Sequence, residues 1–124
     1  MPNNAMTVDY TRAGKSIIVE FTVEKVIADW SVVHVQGDKT IQSWEGRTDD
    51  NLADVAPVDP RAISTTSSLG WTVLLFGPNK AVKVQVLVEA RQDGALLGTS
   101  KLEVDLEAAK ASIVSGTVHL KEAA

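Results

Sequence analysis

The sequence predicts an all-β fold: an antiparallel two-sheet β-sandwich of about seven to eight strands, with a jelly-roll-like barrel as the alternative. Three observations carry this. β-Branched and aromatic residues are in excess, with 17 Val, 6 Ile, 10 Thr, 2 Phe, 3 Trp and 1 Tyr among 124 residues, and such side chains fit a pleated, half-buried surface. Apolar and polar residues alternate with a period of two along most of the chain. No stretch keeps a helical period for more than about one turn.

A short strand is expected over 6–10, with Arg12, Ala13 and Gly14 as the turn after it. Over 16–24, Ile17, Val19, Phe21 and Val23 alternate with Ile18, Glu20, Thr22 and Glu24, giving one buried and one wetter face. Strands at 30–36 and 40–44 follow, joined by Gly37-Asp38, a dipeptide that favours a tight hairpin. From 45 to 70 the alternation disappears. That segment holds Glu45, Asp49, Asp50, Asp54 and Asp59, two prolines and a Ser/Thr run. It reads as a long polar, acidic loop, with Thr48 to Asn51 capping at most one helical turn through Ala53.

Strand character resumes at 71–77, where Trp71, Val73 and Leu75 point one way and Leu74 and Phe76 the other. Apolar residues on both faces imply a central strand, or one whose outer face meets another subunit. A turn over Gly77-Pro78-Asn79-Lys80 leads to a hairpin of 82–91 with 95–106. A two-residue turn at Asp93-Gly94 would set Val84 beside Glu103 and Val82 beside Asp105, with carboxylates in the core. Burying a carboxylate costs several kcal/mol, whereas the turn types differ by much less. The expected connection is therefore the three-residue Gln92-Asp93-Gly94, with Gly94 left-handed in a bulge, Arg91 facing Ala95, Val84 facing Leu102 and Val82 facing Val104. A connector over 107–111, with one helical turn at most, precedes a last strand at 112–121. The whole of 1–124 reads as one domain.

Composition excludes several classes. With 12 Lys and Arg against 16 Asp and Glu, the net charge is −4 and the pI about 5.1, which argues against a nucleic-acid partner held by phosphate contacts. Absence of cysteine removes disulfides, thiolate metal sites and thiol nucleophiles. No apolar run approaches the roughly 20 residues of a membrane span. The first residues carry no basic region or apolar stretch of a signal peptide, so a cytoplasmic location or leaderless export is expected.

The two histidines, His34 and His119, each fall within a strand, without the spacing or elbow of a nucleophilic triad. Both read as surface or interface residues, and no catalytic group is assigned. The acidic segment is the candidate site. Trp44, at its entrance, is placed to stack on a sugar or anchor a protein, beside Glu45, Arg47, Asp49 and Asp50 as ligand-binding residues. Asp49, Asp50 and Asp54 supply the hard oxygen ligands that Ca²⁺ takes, although the glycine and spacing of an EF-hand loop are missing and Arg47 competes for the same carboxylates. Trp30 and Trp71 read as core.

Residues 40–51, with Lys83-Val84-Gln85-Val86, resemble small bacterial calcium-dependent lectins of the β-sandwich type over less than about a fifth of the chain. The dense acidic calcium loop of that family near its C-terminus is missing, since this chain ends Lys121-Glu122-Ala123-Ala124. The resemblance implies only a glycan-binding alternative. The expected function is a non-catalytic binding or assembly module that self-associates. Carbohydrate binding through the 45–70 segment, with calcium as an optional cofactor, stands second.

Overall fold

The computed structural model describes residues 4–50 and 52–123. Nine strands make two sheets, and the described residues include no α-helix. The strands are β1 (Asn4–Tyr10), β2 (Ile17–Val23), β3 (Ile27–Gln36), β4 (Lys39–Asp49), β5 (Asp54–Val58), β6 (Ser67–Phe76), β7 (Val82–Gln92), β8 (Ala95–Leu106) and β9 (Ala111–Glu122). One sheet has the order β1-β9-β6-β3-β4 and the other β5-β2-β7-β8, two open sheets rather than a closed barrel. The sandwich class is as expected, with more strands than the sequence pattern showed. Among the described residues no helix is long and apolar enough to cross a membrane.

Period-two alternation builds the core. Ile17, Val19, Phe21 and Val23 of β2 and Val84, Val86, Val88 and Ala90 of β7 line the inner face of the four-stranded sheet and are fully buried. Opposite them lie Ala28, Trp30 and Val32 of β3 and Leu69, Trp71, Val73 and Leu75 of β6. Phe21 joins the layers. Its ring stacks on Trp30 at 4.9 Å between centroids and meets Trp71 edge-on at 6.3 Å, geometries that suit the aromatic quadrupole. Trp30 and Trp71 are core residues, as their sequence contexts implied.

Four local expectations are corrected. First, β1 runs parallel to β9, from Asn4 opposite Gly116 to Tyr10 opposite Glu122, so the sandwich is not wholly antiparallel. Second, the long polar loop at 45–70 does not exist as such. β4 runs on to Asp49, β5 occupies Asp54–Val58, a 3₁₀ turn spans Pro60–Ala62, and β6 begins at Ser67. The helical turn expected after Thr48 is absent. Thr48 is buried within β4, and Leu52 N donates to Asp49 O at 3.0 Å across a tight turn; Asn51 lies outside the described residues.

Third, the β7–β8 hairpin uses the two-residue turn after all. Asp93 and Gly94 have φ of 51° and 80°, and Gln92 pairs with Ala95, the two positive angles of a type I′ turn. The face conflict is resolved two residues beyond Ala95: the register shifts so that Arg91 pairs with Leu96 and Ala90 with Gly98, leaving Leu97 as the extra residue. A bulge changes the parity of a ladder by one. Beyond it, Val84 faces Val104 and Val86 faces Leu102. Carboxylates stay out of the core, as the energetic argument required, by a bulge in β8 and not by a longer turn. Fourth, 107–110 forms a turn and no helix. Ala109 has φ of 58° and donates to Pro78 O at 2.7 Å, while Gly77 N donates to Lys110 O at 2.9 Å.

Candidate functional site

The β4–β5 corner holds the residues singled out in the acidic segment. Along β4 the side chains alternate, so Trp44, Gly46 and Thr48 face inward while Glu45, Arg47 and Asp49 face out. Trp44, opposite Val32, is half-buried against the core. It therefore lies on the other face of the strand from Glu45 and Arg47. Glu45 is exposed opposite Ser31, and Arg47 lies opposite Asp29. Arg47 Nε donates to Asp29 Oδ1 at 2.6 Å, and its guanidinium sits 5.9 Å from the Phe76 ring centroid. The hydrogen bond from Arg47 holds the Asp29 carboxyl below the usual carboxylate range. Arg47 is thus committed to a residue of β3 and not to its neighbours in sequence.

Each remaining aspartate has its own task. Asp49 ends β4, exposed, opposite Ile27. Asp50 sits in the turn at φ 33° and accepts from Lys25 N at 2.8 Å. Asp54 accepts the indole N–H of Trp30 at 2.9 Å through Oδ2 and its neighbour Val55 N at 3.0 Å through Oδ1. This pair fits because position 46 is glycine. A Cβ there would strike the Asp54 carboxylate and come within 2.7 Å of the Trp30 ring. Among the described residues no three Asp, Glu or His side chains converge in a way that would hold a metal ion. What the corner does bring together is an open depression of about 400 Å³ lined by Asp29, Trp30, Glu45, Gly46 and Arg47.

Nearer the other end of β3 the structure assembles polar groups that the sequence did not flag. His34 is 1% exposed, so the expectation of a surface position is wrong for it; His119 is exposed. His34 Nε2 and Ser67 Oγ are 2.9 Å apart, and Ser67 Oγ also accepts from Ser64 N at 3.0 Å. A Ser–His contact suggests a nucleophile and base, but both groups are buried. Burial is what lowers the His34 pKa, and no charged neighbour contributes. The pair therefore satisfies two polar groups between β3 and β6.

Close by, Tyr10, Arg12, Ser64, Thr65, Leu120, Lys121 and Glu122 line a cleft of about 350 Å³. Arg12 is its strut. Its Nε donates to Glu122 Oε1 at 2.6 Å, and an Nη donates to Ile63 O at 2.8 Å. Gln92, buried beside this end, receives Thr11 N at 2.8 Å and donates to Thr11 O and Lys15 O at 2.7 and 2.9 Å. These contacts are long-range, and the only local signal was the Ser64–Ser68 run of hydroxyl residues.

A third surface lies on the outer face of the five-stranded sheet. Ile113 is 63% exposed, Ile27 41% and Phe76 38%. Leu74 pairs with both Ile113 and Asp29, and Phe76 with Ala111. The register thus gathers Ile113, Leu74, Phe76 and Ile27 into one apolar patch, rimmed by the Asp29–Arg47 ion pair. No family model matches the chain, and neither a curated protein nor a solved structure matches it.

Proposed function

We propose that the protein is a non-catalytic binding or assembly module that self-associates through the outer face of its five-stranded sheet. The observation that carries this reading is the patch of Ile27, Leu74, Phe76 and Ile113, which no element of the described chain covers. β6 is the middle strand of its sheet, and its inner face is fully committed to the core. Apolar residues on its outer face add nothing to the sandwich, whereas a second copy would remove them from water. The guanidinium over Phe76 gives the patch a polar edge of the kind interfaces have. Sedimentation equilibrium from low to high micromolar concentration tests the reading. A mass that rises above one chain, and rises less in Ile113→Lys at the same concentration, is the expected result. A strict monomer throughout would end it.

Carbohydrate binding at the β4–β5 corner is the second reading, favoured by the depression between Asp29, Glu45 and Arg47. It would use polar contacts at the rim, since Trp44 faces the core side. A glycan array with and without Ca²⁺ decides it: no signal under either condition removes both the sugar and the calcium.

A further inference from the structure

We propose that a second copy of this chain also docks edge to edge on β8, in a two-fold antiparallel register centred on Leu102. The proposal shares with the reading above only the choice of a second copy as partner; the surface and the observations are different.

β8 closes the order β5-β2-β7-β8 and among the described residues pairs with β7 alone, so one row of its N–H and C=O groups has no described strand beside it. It is 12 residues long, and long open edges are templates for pairing. The opposite edge of the same sheet is blunted, because β5 has five residues and one of them is Pro57. At mid-length β4, the long edge of the other sheet, has the Trp30–Asp54 pair folded across Gly46. β8 is approached from the other sheet in the same way, by Met6 and Val8 of β1 at Gly98. Its core-facing Leu102 and Val104 are only half-buried, whereas Val84, Val86 and Val88 one strand further in are fully buried. The difference is the missing neighbour strand.

Charge selects the register. A two-fold axis through a residue keeps inner side chains opposite inner ones, as a buried face requires. Centred on residue 101 it sets Lys101 against itself, and centred on 103 it sets Glu103 against itself. Centred on 104 it sets Glu103 against Asp105, and centred on 100 it runs Glu103 into the bulge at Leu97. Centred on 102, Lys101 faces Glu103 twice, Thr99 faces Asp105, Ser100 faces Val104 and Leu102 meets its own copy. Lys101, Glu103 and Asp105 are all exposed on the outer face; Glu103 also lies 4.0 Å from Lys83 Nζ of β7, an exposed pair that leaves its carboxylate open to a second cation. Opposite charges directly across a ladder stabilise it and like charges oppose it, so of these registers the one that avoids both the bulge and a like-charge clash also has two ion pairs. The result is an isologous contact joining two four-stranded sheets into one of eight strands.

The absence of cysteine makes a clean test. Residues directly opposite in an antiparallel pair have Cα atoms about 4.5–5.5 Å apart, within disulfide reach. Under mild oxidation Leu102→Cys is expected to give a covalent dimer on a non-reducing gel. Val104→Cys, whose partner is Ser100, is expected to stay monomeric. In sedimentation equilibrium, Lys101→Glu and Glu103→Lys should each weaken self-association about tenfold. The double variant K101E/E103K should restore it, with each variant's thermal midpoint within about 2 °C of the parent because these side chains are exposed. Equal cross-linking of Val104→Cys, no cross-link from Leu102→Cys, or no rescue in the double variant overturns the edge contact. Loss of association in Ile113→Lys but not in either charge variant leaves the outer-face reading standing and this one fallen. The converse pattern leaves the edge standing alone.

Discussion

Asp54 offers a direct measure of what the carboxylates of the 45–59 stretch do. In the structure it is the acceptor for the indole N–H of Trp30, a residue only 4% exposed. Asp54→Ala removes that acceptor and leaves a buried donor with nothing to bond, which costs about 1–3 kcal/mol. Unfolding entropy near the midpoint is about 2.1 cal/mol/K per residue, so for 124 residues 1 kcal/mol moves the midpoint by about 4 °C. Alanine should therefore lower the melting temperature by about 4–12 °C. Asp54→Asn keeps an acceptor oxygen and should lose less than half as much. Gly46→Ala pushes its new methyl group into the same carboxylate and ring, so it should cost about 1–3 kcal/mol as an overpacking defect. The double variant G46A/D54A should lose less than the two singles together, because both act on one contact. Circular-dichroism melts, with urea titrations alongside, measure all four. If Asp54→Ala melts with the parent, or Asn loses as much as Ala, the acceptor role is wrong. If Ca²⁺ raises the parent's midpoint and has no effect on Asp54→Ala, the carboxylate serves a cation and not the indole.

Three further outcomes follow from the packing. Gln92→Ala removes three hydrogen bonds that pin residues 11–15 to the end of β7; the expected loss is about 3 kcal/mol in urea, with faster amide exchange at Thr11. The His34 pKa is lowered by burial, so below about pH 6.5 the unfolded chain takes up a proton that the folded site resists. Stability should be complete above that pH and fall as pH drops through it, by at most about 1.4 kcal/mol per pH unit. Urea midpoints of the parent at pH 7.5 and 5.0 should differ more than those of His34→Gln; equal differences would remove His34 as the cause. Gly94→Ala places a side chain at φ 80° in the type I′ turn and should cost about 1 kcal/mol, visible as a shift of about 4 °C in a melt.

β2, β7 and the 71–76 part of β6 were legible because their period is two and nearly all their inward positions are Ile, Val, Phe, Trp or Leu. β4 beyond residue 44 was not. Its inward positions there are Gly46 and Thr48, one chosen for closeness to the Trp30 ring and the other buried as a hydroxyl residue. β5 hides behind Asp54 and Pro57, residues that edge pairing and an indole partner allow but that strand statistics disfavour. The two-residue turn at Asp93-Gly94 was passed over because the bulge at Leu97 carries no local mark, and only the cost of burying Glu103 and Asp105 showed that some device had to exist. Site prediction fared differently. Proximity in sequence suggested that Trp44, Glu45 and the aspartates act together, whereas alternation sends the indole and Glu45 to opposite faces and gives Asp50 and Asp54 separate partners. The buried His34–Ser67 contact spans 33 positions, and no local pattern encodes it.

Pairing of the first strand with the last has a consequence for how the chain reaches this structure. β1 has no hydrogen-bonded neighbour other than β9 among the described residues, so a nascent chain carries Met6, Val8 and Tyr10 without a sheet to join until β9 has emerged. Every other strand can pair with a partner made before β9. Contacts that close so long a loop are slow to form, and an apolar segment waiting in the open is where misassembly starts. The first strand of the sandwich is thus placed after the last has been made, and the five-stranded sheet acquires this edge only once β9 is available. Slowing translation should prolong that vulnerable interval and leave the final fold unchanged.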